Sequence, residues 1–437
     1  MKAQLFVLLL LFSAPIYSQC YQQKDSTELG YLGLHFLNDQ VGYVAGFQQN
    51  VTNYDGIIKK TTDGGNTWQT VYNDTSISTQ FLHDVFFIEG TNNNGWAVGN
   101  EGQILHTLDA GQTWLPQTPI LPNSYHAVHF PNAKYGYIAG ANCVVGTKTN
   151  GTTWDTLLFI PPPPPLTLDP PQLSLTNVHF VNDSMGAVSG SYTQSAGAIP
   201  PEAMILYTYD FGENWSIAYS KPNDIVMDMQ FLASPIAYAS MSHDLLKSVD
   251  NGENWSIVPN PDSLTFGGPI YFRDEMNGYA LLYEGVAPNL SLALHYTYNG
   301  GMTWTNICNM GLPSWFNSDL YVNKLEEGIA SFWGNGVLGS IVKFEENTLV
   351  SIPQKNTFTC TVFPNPAQTD LQIELPEKEI EHFAEWKIID VQGKTCLTGK
   401  TTSPSFEVSV QALPNSLYFL QIQTDKGKLA TQKVMKN

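Results

Sequence analysis

An eight-residue phrase returns six times along this 437-residue chain. It reads Thr or Ser, any residue, Asp or a stand-in, any residue, Gly, any residue, Thr or Asn, and Trp, as in Thr61-Thr62-Asp63-Gly64-Gly65-Asn66-Thr67-Trp68. The copies end at Trp68, Trp114, Trp154, Trp215, Trp255 and Trp304, at intervals of 46, 40, 61, 40 and 49 residues. Self-similarity at such a period constrains the fold more tightly than any local signal. A unit that cannot bury its apolar face alone must bury it against its neighbours.

Each unit also repeats its strands. A short apolar run ending in Phe opens it: Leu34-His35-Phe36, Val85-Phe86-Phe87, Val128-His129-Phe130, Val178-His179-Phe180, Met229-Gln230-Phe231 and Ile270-Tyr271-Phe272. A Gly-aromatic-small run follows, as in Gly42-Tyr43-Val44-Ala45-Gly46 and Gly136-Tyr137-Ile138-Ala139-Gly140. A third run enters the Asp-x-Gly turn and the Trp opens a fourth. Four alternating strands with turn residues between them make one propeller blade. A seventh unit shows only through these columns, with Asp319-Leu320-Tyr321 in the first, Gly328-Ile329-Ala330-Ser331 in the second, and Gly339 to Ser351 supplying the last two strands. The predicted fold is all-β, a seven-bladed β-propeller over residues 30–352 followed by a small C-terminal β-sandwich over 359–437.

Turn chemistry accounts for the phrase. Asp63, Asp109, Asp210 and Asp250 can each accept backbone N–H groups across a tight turn, with Thr149 and Asn299 in that place in the third and sixth copies. Gly65, Gly111, Gly151, Gly212, Gly252 and Gly301 stand where positive φ is needed. Each Trp can bury roughly 150–250 Å² between neighbouring units. His35, His129 and His179 share one column with Phe86, Gln230 and Tyr271, so that position reads as packing and not as a ring of metal ligands. No Cys or His spacing suggests a metal site, and no cofactor is expected.

The chain opens with Lys2, an apolar run from Leu5 to Phe12 and a small, polar exit from Ser13 to Gln19. Residues 1–18 therefore read as a secretory signal peptide, too short for the ~20 apolar residues of a membrane span. Among five cysteines without framework spacing, a bridge from Cys20 to Cys360 would tie the two ends of a closed ring together. Of the net charge of −19, all but one unit falls on the part before residue 356, since the last 82 residues carry eight Lys against nine acids. Such a surface repels phosphate backbones, which excludes nucleic acid as a partner.

The phrase resembles the Asp box, or BNR repeat, of sialidases, sortilin-type receptors and photosystem II assembly-factor-like propellers. In those families the box is a structural turn away from the active face. Sialidases grip a substrate carboxylate with an arginine cluster, which a chain with the single arginine Arg273 cannot build. No nucleophile elbow, P-loop or dinucleotide motif is present, and no catalytic residue is predicted. A glycoside hydrolase using two acids on the propeller face is the alternative.

After Ser351 a different module begins. It opens with Val362-Phe363-Pro364-Asn365-Pro366, turns at Asp390-Val391-Gln392-Gly393-Lys394, and runs through Leu413-Pro414-Asn415-Ser416-Leu417-Tyr418-Phe419 to a basic last strand with Lys433 and Lys436. This resembles the type A C-terminal sorting domain of the type IX secretion system. The resemblance implies passage through the periplasm, the secretion machinery as a partner, and release or display at the cell surface. The expected protein is a secreted or surface-displayed, non-enzymatic propeller that binds a glycan or protein. Trp315 and Trp333, which stand outside the repeat columns, are the candidate ligand platform.

Overall fold

The computed structural model describes residues 21–436, apart from 26–28, 50–53, 76–80, 89, 91–92, 119, 161–171, 194–200, 233–234, 261–264, 285–290, 310–315, 323–327, 335–336, 345–359, 377–382, 391–394 and 425–428. The signal segment 1–18, the five-proline run from Pro161 to Pro165, Trp315, Gly393 and Lys394 lie outside the described residues.

Seven four-stranded antiparallel sheets follow one another along the chain. Their first, inner strands are Leu29–Phe36, Leu82–Phe87, Tyr125–His129, Gln172–Phe180, Val226–Phe231, Thr265–Phe272 and Phe316–Val322, numbered here as sheets 1 to 7. Sheets 1 to 6 take all four strands in sequence order. Sheet 7 differs from the expectation for Gly339 to Ser351. Among the described residues one strand, Val337–Phe344, comes from there, and the outermost strand is Tyr21–Asp25, paired antiparallel with it. The eight-residue phrase is missing from the seventh unit because no hairpin links its third and fourth strands. The first column there is also displaced by one residue. Asp319 precedes the triplet, and Leu320-Tyr321-Val322 occupies the positions of Leu34-His35-Phe36. Sheet 7 closes onto sheet 1 through a stack of Tyr321 on Phe36 at 4.4 Å.

Aromatic contacts join each sheet to the next. The second-column ring of one sheet stacks on the first-column Phe of the following sheet, as in Tyr43 on Phe87 (4.0 Å), Trp96 on Phe130 (3.7 Å) and Tyr238 on Phe272 (3.7 Å). That same Phe meets its own sheet's Trp edge-on, as in Phe36 with Trp68, Phe130 with Trp154, Phe180 with Trp215 and Phe231 with Trp255. Trp114, Trp154 and Trp304 are buried, whereas Trp68, Trp215 and Trp255 are half-buried.

The turn of the phrase is built as its residues suggest. Thr61 Oγ1 donates to Asp63 Oδ1 (2.9 Å) and accepts from Gly65 N (2.9 Å), while Asp63 accepts from Thr67 N (2.9 Å) and Thr67 Oγ1 (2.6 Å). The arrangement recurs around Asp109, Asp210 and Asp250. Asn299 Oδ1 takes over as acceptor from Thr303 N (3.0 Å) and Thr149 Oγ1 from Thr153 N (2.9 Å), so a neutral oxygen suffices. Gly65, Gly111, Gly151, Gly212, Gly252 and Gly301 all have positive φ. So do the residues before them, which include Ala110 and Phe211, a demand that side-chain type does not announce.

Residues 361–436 form two further sheets. One orders Thr395–Thr401, Ala384–Asp390, Ser416–Thr424 and Leu429–Lys436, and the other orders Thr361–Phe363, Asp370–Glu374 and Ser405–Ser409. Their shared core includes Leu371, Ile373, Ile388, Leu420, Ile422 and Val434. Cys360 is a free, buried thiol in this core and Cys308 is disulfide-bonded, so the expected Cys20–Cys360 bridge does not form.

Candidate functional site

The inner strands of sheets 1 to 5 carry a β-bulge at the same place. Pairing with the second strand skips from Tyr31 to Gly33, Leu82 to Asp84, Tyr125 to Ala127, Leu175 to Asn177, and Val226 to Asp228. The skipped residues are Leu32, His83, His126, Thr176 and Met227. A bulge frees its extra residue from the ladder and re-aims its side chain. All five line one cavity of about 650 Å³ at the centre of the ring of sheets. The last glycine of the second column makes the bulge possible. A Cβ at Gly99 would lie 2.2 Å from Phe81 O, and one at Gly190 would lie 1.9 Å from Ser174 O.

The cavity wall includes Phe47 and Phe81, whose rings meet at 4.4 Å, and the histidines His83 and His126, 5.0 Å apart. His83 Nε2 bonds Asn100 Oδ1 (2.7 Å) and His126 Nδ1 bonds Leu175 O (2.9 Å). Burial lowers both histidine pKa values, that of His83 to about 4, with His126 adding to the effect. Among the described residues lining the cavity the carboxylates are Asp84, Asp228 and Asp319, and neither Lys nor Arg is among them.

These three acids are also clasps between sheets. Asp84 accepts from Val85 N (2.7 Å) and from Val128 N of sheet 3 (2.8 Å). Asp228 accepts from Met229 N (2.7 Å) and from Ile270 N of sheet 6 (2.9 Å). Asp319 accepts from Leu320 N (2.8 Å) and from Leu34 N of sheet 1 (3.0 Å), across the seam where the ring closes. The corresponding residues in the other sheets are Gly33, Ala127, Asn177 and Pro269. Each clasp therefore serves its own sheet and the next, and sheet 4 is left over.

Burial pushes the Asp84 carboxyl up to about 7 and raises Asp228 as well. Asp319 lies well above the usual carboxylate range, through burial first and then the charges of Asp228 and Asp84. A raised folded-state value contributes stability that is complete below the unfolded value of 3.8 and is lost as pH rises through about 7. The stability gap between the wild-type chain and Asp84→Asn should therefore be wider near about pH 5 than near about pH 8. Urea titrations at the two values measure it, and an equal gap would contradict the deep placement of this carboxyl.

Further along the same inner strands lies a second tier. Phe180 N donates to His129 Nδ1 (3.2 Å), Phe272 N donates to Gln230 Oε1 (2.6 Å), and His35 bonds the backbone at Phe87. Sheets 4 and 5 meet instead by His179 stacked on Phe231 at 4.5 Å. Burial holds His35 and His179 at about 4, and holds His129 well below its ordinary value, with His179 and His35 adding to the effect. Neutral rings are what an acceptor nitrogen and a stack require. Among the described residues no group of His, Cys, Asp or Glu is arranged to hold a metal.

Of the predicted platform, Trp333 is placed on the strand Gly328–Gly334 opposite Phe316, and Trp315 lies outside the described residues. The sorting-signal residues do converge. Asn365, between Pro364 and Pro366, donates from Nδ2 to Lys433 O (2.6 Å) and accepts from Met435 N (2.8 Å), which ties the opening of the module to its last strand. Lys433 is exposed there, and Lys436 Nζ donates to Asn415 Oδ1 (3.3 Å). Tyr418 pairs with Asp390 across two strands, and its hydroxyl donates to Pro414 O (2.9 Å).

Residues 361–437 match the secretion system C-terminal sorting domain family, and residues 14–124 match the photosynthesis system II assembly factor YCF48 family. Among solved structures the chain is similar to YCF48 bound to D1 peptide, at 19% identity and a TM-score of 0.52 over 74% of this chain and 95% of that one. It is similar to YCF48 from Cyanidioschyzon merolae at 14% identity and a TM-score of 0.52, over 75% and 99% of the two chains. The GH74 xyloglucanase from Xanthomonas campestris is similar at 10% identity and a TM-score of 0.50, over 72% of this chain and 52% of that one. At these identities the likeness is one of fold. No curated protein matches the sequence significantly. Residues 361–437 thus resemble a type IX secretion C-terminal sorting domain, and the sheets before them are similar in fold to photosystem II assembly-factor propellers, whose family model matches residues 14–124.

Proposed function

We propose that this is a secreted or cell-surface, non-enzymatic protein whose seven sheets are the blades of a seven-bladed β-propeller and whose two C-terminal sheets form a β-sandwich. It reaches the surface through the type IX secretion machinery after loss of a signal peptide over residues 1–18. It binds an extracellular glycan or protein at the axial cavity. The observation that carries this reading is the bulge column. Five blades each deliver one side chain into the cavity, and these differ (Leu32, His83, His126, Thr176, Met227) while the neighbouring columns repeat. Variation on a repeated frame is how a symmetric ring acquires a particular ligand. Each of the three cavity acids has both oxygens engaged by backbone N–H groups, which supports a structural use over acid–base chemistry. The D1 peptide on YCF48 is a precedent for a peptide on this fold.

A panel of polysaccharides and surface proteins, assayed both for retention and for reducing-end release, tests the reading. Retention without release is expected, and Phe81→Ala should weaken it. Sugar release that disappears in Asp84→Asn or Asp228→Asn would replace this account with a glycoside hydrolase.

A further inference from the structure

The geometry points to a cationic occupant, a lysine-type ammonium on a protein or peptide segment, seated over Asp84, Asp228 and Asp319 in the axial cavity. This rests on the reading of the axial cavity as the ligand site and names the chemistry it selects. The cavity of about 650 Å³ lies within the range of ligand sites and has room for a side chain with its flanking backbone. Its charges are of one sign. Among the described lining residues the remaining titratable groups are His83 and His126, which burial keeps neutral, and none is a cation.

Each carboxylate oxygen spends one lone pair on a backbone N–H, and an ionised carboxylate has about four acceptor sites, so about two per residue are open to a further donor. An ammonium brings three donors and no acceptor, and its alkyl stem suits the apolar wall of Leu32, Phe47, Phe81 and Met227. The same aromatic faces favour a cation. Burial raises all three acids, so seating an ammonium here is coupled to their ionisation, a gain that a neutral carbohydrate hydroxyl does not supply. The excess of acids on the surrounding domain draws such a partner in.

The test is calorimetric titration of the full mature chain with two blocked pentapeptides, one with a central lysine between glycines and its counterpart with Nε-acetyl-lysine. The lysine peptide should bind at least about tenfold tighter. Thr176→Lys places an ammonium on the exposed bulge of sheet 4 without touching a clasp, and it should abolish that preference with no change in melting temperature. Asp228→Asn should weaken the lysine peptide selectively. Equal binding of the two peptides, no binding of either, or an unaffected Thr176→Lys chain would overturn the cationic occupant. If panel ligands are retained in those cases and lost in Phe81→Ala, the axial face is still the binding face. If Phe81→Ala changes nothing, that reading fails as well.

Discussion

Removing residues 361–437 is expected to leave the protein in the periplasm, with the surface and culture-medium signal falling to background. The cut spares the whole propeller. Its seventh sheet is completed by Tyr21–Asp25 from the other end of the chain, and the last propeller strand ends at Phe344. The module removed has its own core around Leu371, Ile388, Leu420 and Val434, so its loss leaves the cores of the seven sheets intact while giving up surface contacts such as that of Lys433 with Glu275 (3.8 Å). A truncated chain that melts normally yet stays inside would separate sorting from folding. Fractionation with antibody detection, beside a melting curve of the truncated protein, measures both. Undiminished surface delivery would refute the sorting role. A narrower change, Asn365→Ala, should reduce delivery in part. Asn365 bonds the backbone at Lys433 and Met435 and so holds the basic last strand against the Pro364–Pro366 opening.

Local chemistry was legible in the sequence, and contacts between distant segments were not. The Asp-box turn could be read because Thr61, Asp63, Gly65 and Thr67 satisfy one another within seven residues. The sorting module was equally readable, since its motifs are contiguous. The fourth strand of sheet 7 was missed because it comes from about 320 residues away in the chain, and no local signal assigns a strand to a distant edge. The seventh column was set one residue early for a related reason. Asp319 looks like the start of a strand until its bonds to Leu34 and Leu320 align it with Asp84 and Asp228.

The candidate site itself was hidden by dilution. Its clasp acids occur in three of seven repeats, at a position that elsewhere holds Gly33, Ala127, Asn177 and Pro269. A bulge adds a single residue, which column matching absorbs as spacing noise. One signal could have exposed it. The glycine closing the second column returns at Gly46, Gly99, Gly140 and Gly190, where a Cβ would strike the backbone carbonyl just before the bulged stretch. Trp315 and Trp333 stand outside the columns, whereas the described wall of the cavity includes a variable position inside the repeat.

Replacing Asp319 by Ala should produce the largest stability loss of any single cavity substitution. The side chain spans the seam between the last and first sheets, and its removal leaves Leu34 N and Leu320 N without their acceptor. Two part-buried backbone donors left unsatisfied cost about 1–3 kcal/mol each, partly offset by release of a carboxylate that burial already disfavours. A net loss of about 2–4 kcal/mol is expected, seen as a melting point roughly 3–6 °C lower. Asp228→Ala breaks the same number of bonds but lies between sheets continuous in sequence, so it should cost less. Opening should begin where the chain ends meet, with early proteolytic cleavage near Tyr21–Asp25 in Asp319→Ala and not in Asp228→Ala. Because the folded-state pKa of Asp319 is raised, its contribution is greatest at low pH and is lost as pH rises through that value. The deficit of the Ala variant should therefore shrink in alkaline buffer. If Asp319→Ala melts within about 1 °C of the wild type, the seam is held by its aromatic stack and by strand pairing alone, and the carboxylate column is free of structural duty.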